Sequence, residues 1–282
     1  MKIPKRITPL LSAVTIYFLA SMACAQTPWQ QPDPSPLIFA GSGVNLGITR
    51  LLANAFTAGH PRTTINIPGS IGSNGAIKAV ADNAITLGLI SRPLKEAEKS
   101  PGLVARPYAC VPIVVGAHAA IADDEITFQE LVDIYKGTKT RWKDGNEIIV
   151  QTREPFDSGF QVLEKQIPGF KEAFAESFRM KRWAVFFTDQ DANRALSTTR
   201  YAIGITDLGM IRAEHLNIKA LKLNGIIPGP ESLLSGQYPL RRELSFLYRD
   251  ETLPEDARAF LDFVRTEAGA DILKSNGYLP VN

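Results

Sequence analysis

The stretch Ile148-Ile149-Val150-Gln151-Thr152-Arg153-Glu154-Pro155-Phe156-Asp157-Ser158-Gly159-Phe160 decides how this chain is read. Ile148 to Val150 is a β-branched run that predicts a short buried strand. The strand passes through Arg153 into a turn that holds Pro155 and Asp157-Ser158-Gly159, and beyond the turn Phe160, Leu163, Glu164 and Ile167 recur at helical spacing. A strand, a polar turn and a helix start make an anion site, because the first helical N–H groups lack partners and the helix dipole favours negative charge. Ser158 is the expected cap of the helix. Gly159 lets an oxyanion come close to the backbone, and Arg153 brings a planar cation suited to phosphate or carboxylate. The same residues also fit an ordinary surface turn in which Arg153 pairs with Glu154 or Asp157.

Working outward, similar units recur on the N-terminal side. Leu37 to Ala40 predicts a strand, Gly41-Ser42-Gly43-Val44-Asn45 a turn, and Leu46, Leu51, Leu52, Ala55 and Phe56 one face of a helix. Gly41, Gly43 and Gly47 miss the dinucleotide-binding spacing by one residue, and no acidic partner follows, so a small polar turn is the better reading. Thr63 to Ile67 is a second strand. A Gly/Ser-rich turn through Ser70 and Ser73 follows it, then a helix from Ala76 to Ala81. Thr86 to Ile90 is a third strand, ending at Ser91-Arg92-Pro93. Four strand ends thus carry small hydroxyl donors: Ser42, Ser70 or Ser73, Ser91 and Ser158. In an open α/β sheet such ends share one crevice, where ligands bind.

Val104 to Val115, broken by Pro107 and Pro112, reads as a crossing between two lobes. Tyr238-Pro239-Leu240 leading into Leu244 to Tyr248 reads as the return. Ile126 to Tyr135 is an amphipathic helix stopped at Lys136-Gly137-Thr138. After the opening stretch the helical pattern continues to about Phe178, and Tyr201 to Ile205 is another buried strand. Pro254 starts the last long helix, with Ala259, Phe260, Phe263 and Val264 inward, and 268–273 completes the packing. Alternating strands and helices with two crossings predict an α/β, two-lobed fold with a central ligand cleft and a hinge. The expected division is residues 37–110 with 240–282 in lobe 1, and residues 111–239 in lobe 2.

Composition narrows the function. The chain has 282 residues, 45% hydrophobic and 21% charged, enough for a sizeable core. Lys2, Lys5 and Arg6, the apolar run from Leu10 to Ala20 and Ala23-Cys24-Ala25 form a secretory signal peptide over residues 1–25, which predicts a periplasmic protein. Lipidation at Cys24 is the lesser alternative, since Ser21 stands where a lipoprotein signal usually has Leu. The proline-rich residues 26–36 read as a tether. Losing residues 1–25 removes three basic and no acidic residues, which turns a formal net charge of +2 into −1. No bulk positive field remains to hold nucleic acid or a membrane. With Cys24 removed, Cys110 stands alone in an apolar strand. His60, His118 and His215 sit in unrelated contexts, so neither a disulfide framework, a metal-ligand spacing nor a nucleophile elbow is expected.

Gly41-Ser42-Gly43, then Gly72-Ser73-Asn74-Gly75-Ala76-Ile77-Lys78, Gly88-Leu89-Ile90-Ser91-Arg92-Pro93-Leu94 and 126–137 follow one another in an order that resembles PstS-like phosphate-binding proteins. So do Trp142-Lys143-Asp144-Gly145, Arg153 with Ser158-Gly159, and the ending from Phe260-Leu261-Asp262-Phe263-Val264 to Gly277-Tyr278-Leu279-Pro280. The resemblance spans nearly all of the mature chain. It implies a type 2 periplasmic-binding-protein fold that closes on an oxyanion and delivers it to an ABC permease in the inner membrane, as a monomer without cofactor or catalysis. The alternatives are an oxyanion-sensing, scavenging or adhesive role for the same fold, or a secreted phosphate-ester hydrolase. Carried over residue by residue, the ligand donors fall on Ser42, Gly43, Ser73, Ser91, Arg153, Ser158 and Gly159. Two departures stand out: Ser158 lies five residues after Arg153 where the family usually has four, and Phe160 replaces the family's threonine. Some members place an aspartate where Ser91 stands. Asp157 is therefore the candidate to accept the proton of a protonated phosphate, unless it caps the helix or fixes Arg153.

Overall fold

In a computed structural model, the described residues are Met1 and 35–281. The signal peptide, its cleavage site and most of the tether lie outside them. Among the described residues the first elements are β1 (Leu37–Gly41), α1 (Gly43–Gly59), β2 (Ile65–Asn66), α2 (Gly72–Ala81) and β3 (Leu87–Ile90), followed by the long β4 (Leu103–His118). Next come β5 (Glu125–Ile126), α3 (Phe128–Lys136), β6 (Ile149–Arg153), α4 (Ser158–Gln166), α5 (Phe170–Arg179), β7 (Ala184–Phe186), α6 (Asp189–Thr198) and β8 (Ala202–Asp207). They are followed by α7 (Leu208–Ala213), β9 (Ile218–Ala220), β10 (Lys222–Leu223) and α8 (Pro230–Leu234). The return strand β11 (Arg241–Arg249), α9 (Glu255–Val264), α10 (Glu267–Ser275) and β12 (Leu279–Pro280) close the fold.

The principal sheet has the spatial order β2-β1-β3-β11-β4-β8-β6-β7. Parallel strands lie at both ends, β2-β1-β3 and β8-β6-β7, and each group carries its helices on the sheet faces, as parallel strands joined by crossovers require. Between them run the antiparallel β11 and β4. β4 pairs with β11 as far as Pro112 and with β8 from Ile113 onward. One strand therefore belongs to both lobes. Its pairing with β11 slips beside Tyr108, between Leu244 and Ser245, the extra residue of a bulge that bends a strand and sharpens its twist.

Each lobe has its own core. Phe39, Phe56, Phe246 and Phe260 gather α1 and α9 against β1 and β11 in one. Tyr135, Phe160, Phe170 and Phe174 join α3, α4 and α5 in the other. Phe160, the departure noted above, is fully buried in this second cluster, so its ring anchors α4 and does not face a ligand.

Several expected boundaries move. The pattern read as continuous helix to Phe178 is two helices, because Gly169 takes a left-handed conformation (φ 77°) after Pro168 and starts α5 afresh. α3 starts two residues later than expected, where Thr127 and Glu130 form a reciprocal capping box. Ala53, not Ala55, faces inward from α1. Ser158 is not the cap of α4 but its first residue. Asp157 caps it, with one carboxylate oxygen accepting from the N–H of both Gly159 (2.8 Å) and Phe160 (3.2 Å). A carboxylate offers more acceptor capacity than a hydroxyl and also complements the positive helix end.

Candidate functional site

The loops at the carboxyl ends of β1, β3, β6 and β7 meet the start of α2 around a cavity of about 340 Å³. Ser91, directly after β3, is its hub. The Ser91 hydroxyl lies 2.9 Å from Ser42 Oγ, 3.4 Å from Ser73 Oγ and 3.3 Å from Ser158 Oγ, while its N–H donates to Ser73 Oγ at 3.1 Å. The contact with Ser158 crosses from one lobe to the other, as does the Gln190 amide donating to the Gly43 carbonyl at 3.1 Å. Four hydroxyls from four separate turns thus converge within hydrogen-bonding distance of one point. Each hydroxyl donates once and accepts twice, so a group of four can re-aim its protons toward an acceptor placed among them. Three helices, α1, α2 and α4, begin at these turns and α6 begins beside them after β7, and their N-terminal dipoles add to the field an anion would feel.

Arg153, at the end of β6, lines the cavity yet is only 7% exposed. Its Nε and Nη2 donate to Asp157 Oδ2 at 3.2 and 3.1 Å, its Nη1 donates to the Phe186 carbonyl at 3.4 Å, and Asp189 Oδ1 lies 3.7 Å from Nη2. Both oxygens of Asp157 are engaged, one with the helix and one with the guanidinium. Asp157 therefore clamps Arg153 to α4, and the Gly159 N–H expected to hold a ligand is already taken.

Gly43 and Gly159 stand behind the cavity wall and not on it. Their missing side chains leave room for close approach. A Cβ on Gly43 would strike Asp189 and Gln190 of the facing lobe, and one on Gly159 would strike the Arg242 guanidinium.

Arg242 was not anticipated. It lies on β11 with its side chain 5% exposed, donates through Nη1 to Ser158 Oγ at 3.0 Å and pairs through Nε with Asp207 Oδ1 at 3.1 Å. It lines the same cavity as Arg153, which makes a second buried cation there. Asp189 opens α6, and Asp207 closes β8 with its side chain 1% exposed. Burial pushes the Asp207 carboxyl up to about 7, with Arg242 opposing the rise and Asp189 and Asp157 adding to it. Burial and the Asp157 charge likewise raise Asp189, against Arg153. For Arg242, burial works against the charge, but the three surrounding aspartates outweigh it and hold the guanidinium protonated. Arg153 and Arg242 thus stand among Asp157, Asp189 and Asp207, and burial raises the last two carboxyls above the usual carboxylate range. Signals for the missed residues were present. Arg242 shares strand parity with the apolar Leu244 and Phe246, and Asp189 follows the apolar run Trp183-Ala184-Val185-Phe186-Phe187 and the N-cap Thr188.

Arg92, beside Ser91, reaches the cavity but is tied down by Asn74 and by both oxygens of Glu98 at 2.7 Å. Hydrogen bonding to Arg92 holds the Glu98 carboxyl down at about 2.

Among proteins of known role, the chain is 24% identical to the phosphate-binding protein PstS of Borreliella burgdorferi over 75% of this chain and 77% of that one. It is also 24% identical to PstS of Bacillus subtilis, over 87% and 80% respectively. A Clostridium perfringens protein, assigned as the substrate-binding protein of a phosphate ABC transporter and solved with bound phosphate, superposes with a TM-score of 0.75. It is 24% identical, with 88% of this chain and all of that chain covered. The PBP superfamily domain matches residues 26–267. The chain belongs to the PBP superfamily.

Proposed function

We propose that this protein is a periplasmic receptor that captures phosphate, or an oxyanion of the same shape, between its lobes and hands it to an ABC importer. The observation that carries this reading is the meeting of Ser42, Ser73 and Ser91 from one lobe with Ser158 from the other, beside Arg153 and Arg242. A tetrahedral oxyanion presents acceptors in several directions at once. Hydroxyls converging from separate turns, with a cation behind them, offer donors in several directions. Because the donors come from both lobes, only the closed arrangement supplies all of them, and ligand stabilises closure by that difference. The division at residues 110/111 and 239/240 puts β4 and β11 at the hinge. The three elements of export, receptor and importer form one reading: the basic and apolar segments and Ala23-Cys24-Ala25, read as a signal, support a mature chain outside the cytoplasm. No helix among the described residues is long and apolar enough to cross a membrane, and the permease that receives the ligand belongs to the importer this reading assigns. The protein acts by binding as a monomer, without turnover.

The test is a thermal-shift series on residues 26–282 with phosphate, arsenate, sulfate and molybdate, alongside a chromogenic phosphate ester as a turnover control. A ligand at about a hundred times its dissociation constant adds about 2.7 kcal/mol. At this chain length that raises Tm by roughly 5–10 °C. Phosphate and arsenate should give this shift and the ester should not be hydrolysed. A shift with none of the four, or release of the chromophore, would overturn the reading.

A further inference from the structure

The cavity is larger than a phosphate ion, and two exposed aromatic rings stand among the polar residues that line it. Phosphate has five non-hydrogen atoms and fills the space of roughly two or three waters at about 30 Å³ each, against about 340 Å³ here. Cavities of about 300–1,000 Å³ are the size that holds organic ligands. Four serine hydroxyls gather around Ser91, and Asn74, Arg92 and Thr188 also line the cavity. Two large aromatics line the outer part: Phe156, 80% exposed, and Phe187, 72% exposed.

Their placement follows from the sheet. β6 and β7 are parallel neighbours with Arg153 paired to Phe186. Phe156 lies three residues beyond this pair on one loop and Phe187 one residue beyond it on the other, so both stand at the carboxyl end of the two strands and line the cavity with Arg153. Neither ring finds cover in the fold, whereas Phe39, Phe56, Phe246 and Phe260 in one lobe and Phe160, Phe170 and Phe174 in the other are buried in packed cores.

We infer that the site takes phosphate monoesters whose organic group is apolar or aromatic, the phosphoryl end seated among the four serines and Arg153 and the carbon end lying against Phe156 and Phe187. This rests on the oxyanion reading above and narrows its ligand class. A monoester keeps three phosphoryl oxygens for the serine and arginine donors and turns the fourth, esterified oxygen outward, toward the two rings. Covering part of two exposed aromatic faces adds binding free energy that inorganic phosphate cannot gain.

Calorimetric titration with phenyl phosphate and inorganic phosphate tests this in the wild-type chain, Phe156→Ala and Phe187→Ala. Both rings are exposed, so neither change threatens the fold. Phenyl phosphate should bind at least about tenfold more tightly than inorganic phosphate, as expected for covering part of an aromatic ring. Each alanine variant should lose most of that advantage while its affinity for inorganic phosphate stays unchanged. Inorganic phosphate binding with phenyl phosphate equal or weaker would overturn this inference alone. A phenyl phosphate preference that survives in both variants would also overturn it, because the rings would not be its source. If neither ligand binds, the oxyanion reading falls and this inference with it.

Discussion

Arg242→Gln should destabilise the fold severely, and a second change should give most of the loss back. Arg242 and Asp207 approach to 3.1 Å with side chains 5% and 1% exposed. Removing the guanidinium strands a buried carboxylate that already faces Asp189 and Asp157. Breaking one side of such a pair costs about 3–5 kcal/mol. At this chain length 1 kcal/mol moves Tm by about 2–4 °C, so the fall should be roughly 6–20 °C. Asp207→Asn in the same chain removes the stranded charge, and the double variant should regain at least half of the loss. The pH dependence has a definite sign. Asp207 is pushed up to about 7 in the fold, against about 3.9 unfolded, so the native state binds more protons between these values and stability falls as pH rises through them. Without Arg242 the folded carboxyl rises further, so the deficit should be clearly smaller at about pH 5.5 than at about pH 8. Urea titration of both singles and the double at the two pH values reads all of this. A double variant as unstable as the sum of the singles, or a deficit independent of pH, would refute the stranded-charge argument.

Other consequences are local. Arg153→Ala should weaken phosphate binding about a hundredfold or more, the cost of removing a buried charge partner. Arg153→Lys should restore only part, because lysine keeps the charge and loses the fork; titration calorimetry measures both. Asp157→Asn keeps the cap acceptor of α4 but loses the ion pair with Arg153, so phosphate and sulfate affinities should fall together with their ratio unchanged. A selective loss of phosphate would instead make Asp157 the reader of the ligand's proton. Gly159→Ala forces a methyl group onto the Arg242 guanidinium and Asp157, which should cost about 1–3 kcal/mol of stability by overpacking, read from the urea midpoint.

The strand-turn-helix at 148–160 was legible because its signals are local: a β-branched run, a Pro and Gly turn, then helical spacing. Which of two adjacent residues caps the helix was not, since Asp157 and Ser158 are both good caps and the choice depends on where Arg153 points. The two crossings announced themselves through long apolar runs with prolines, and the cleft serines through repeated turns at strand ends. Arg242, Asp189 and Asp207 escaped because a buried charge is defined by partners distant in sequence. Arg242 meets Ser158 across 84 positions and Asp207 across the β11–β4–β8 layer of the sheet. A charge on the inward parity of a strand is the one local trace such a residue leaves. The size of the cavity and its aromatic rim depend on how β6 and β7 pair, which no single stretch encodes.

Capture of phosphate between the lobes is tested most directly by titrating residues 26–282 with phosphate in a calorimeter, with Arg153→Ala beside it. One saturable site per chain, lost or greatly weakened in the variant, is the predicted result. No phosphate binding by the wild-type chain, or equal affinity in the two, would contradict it.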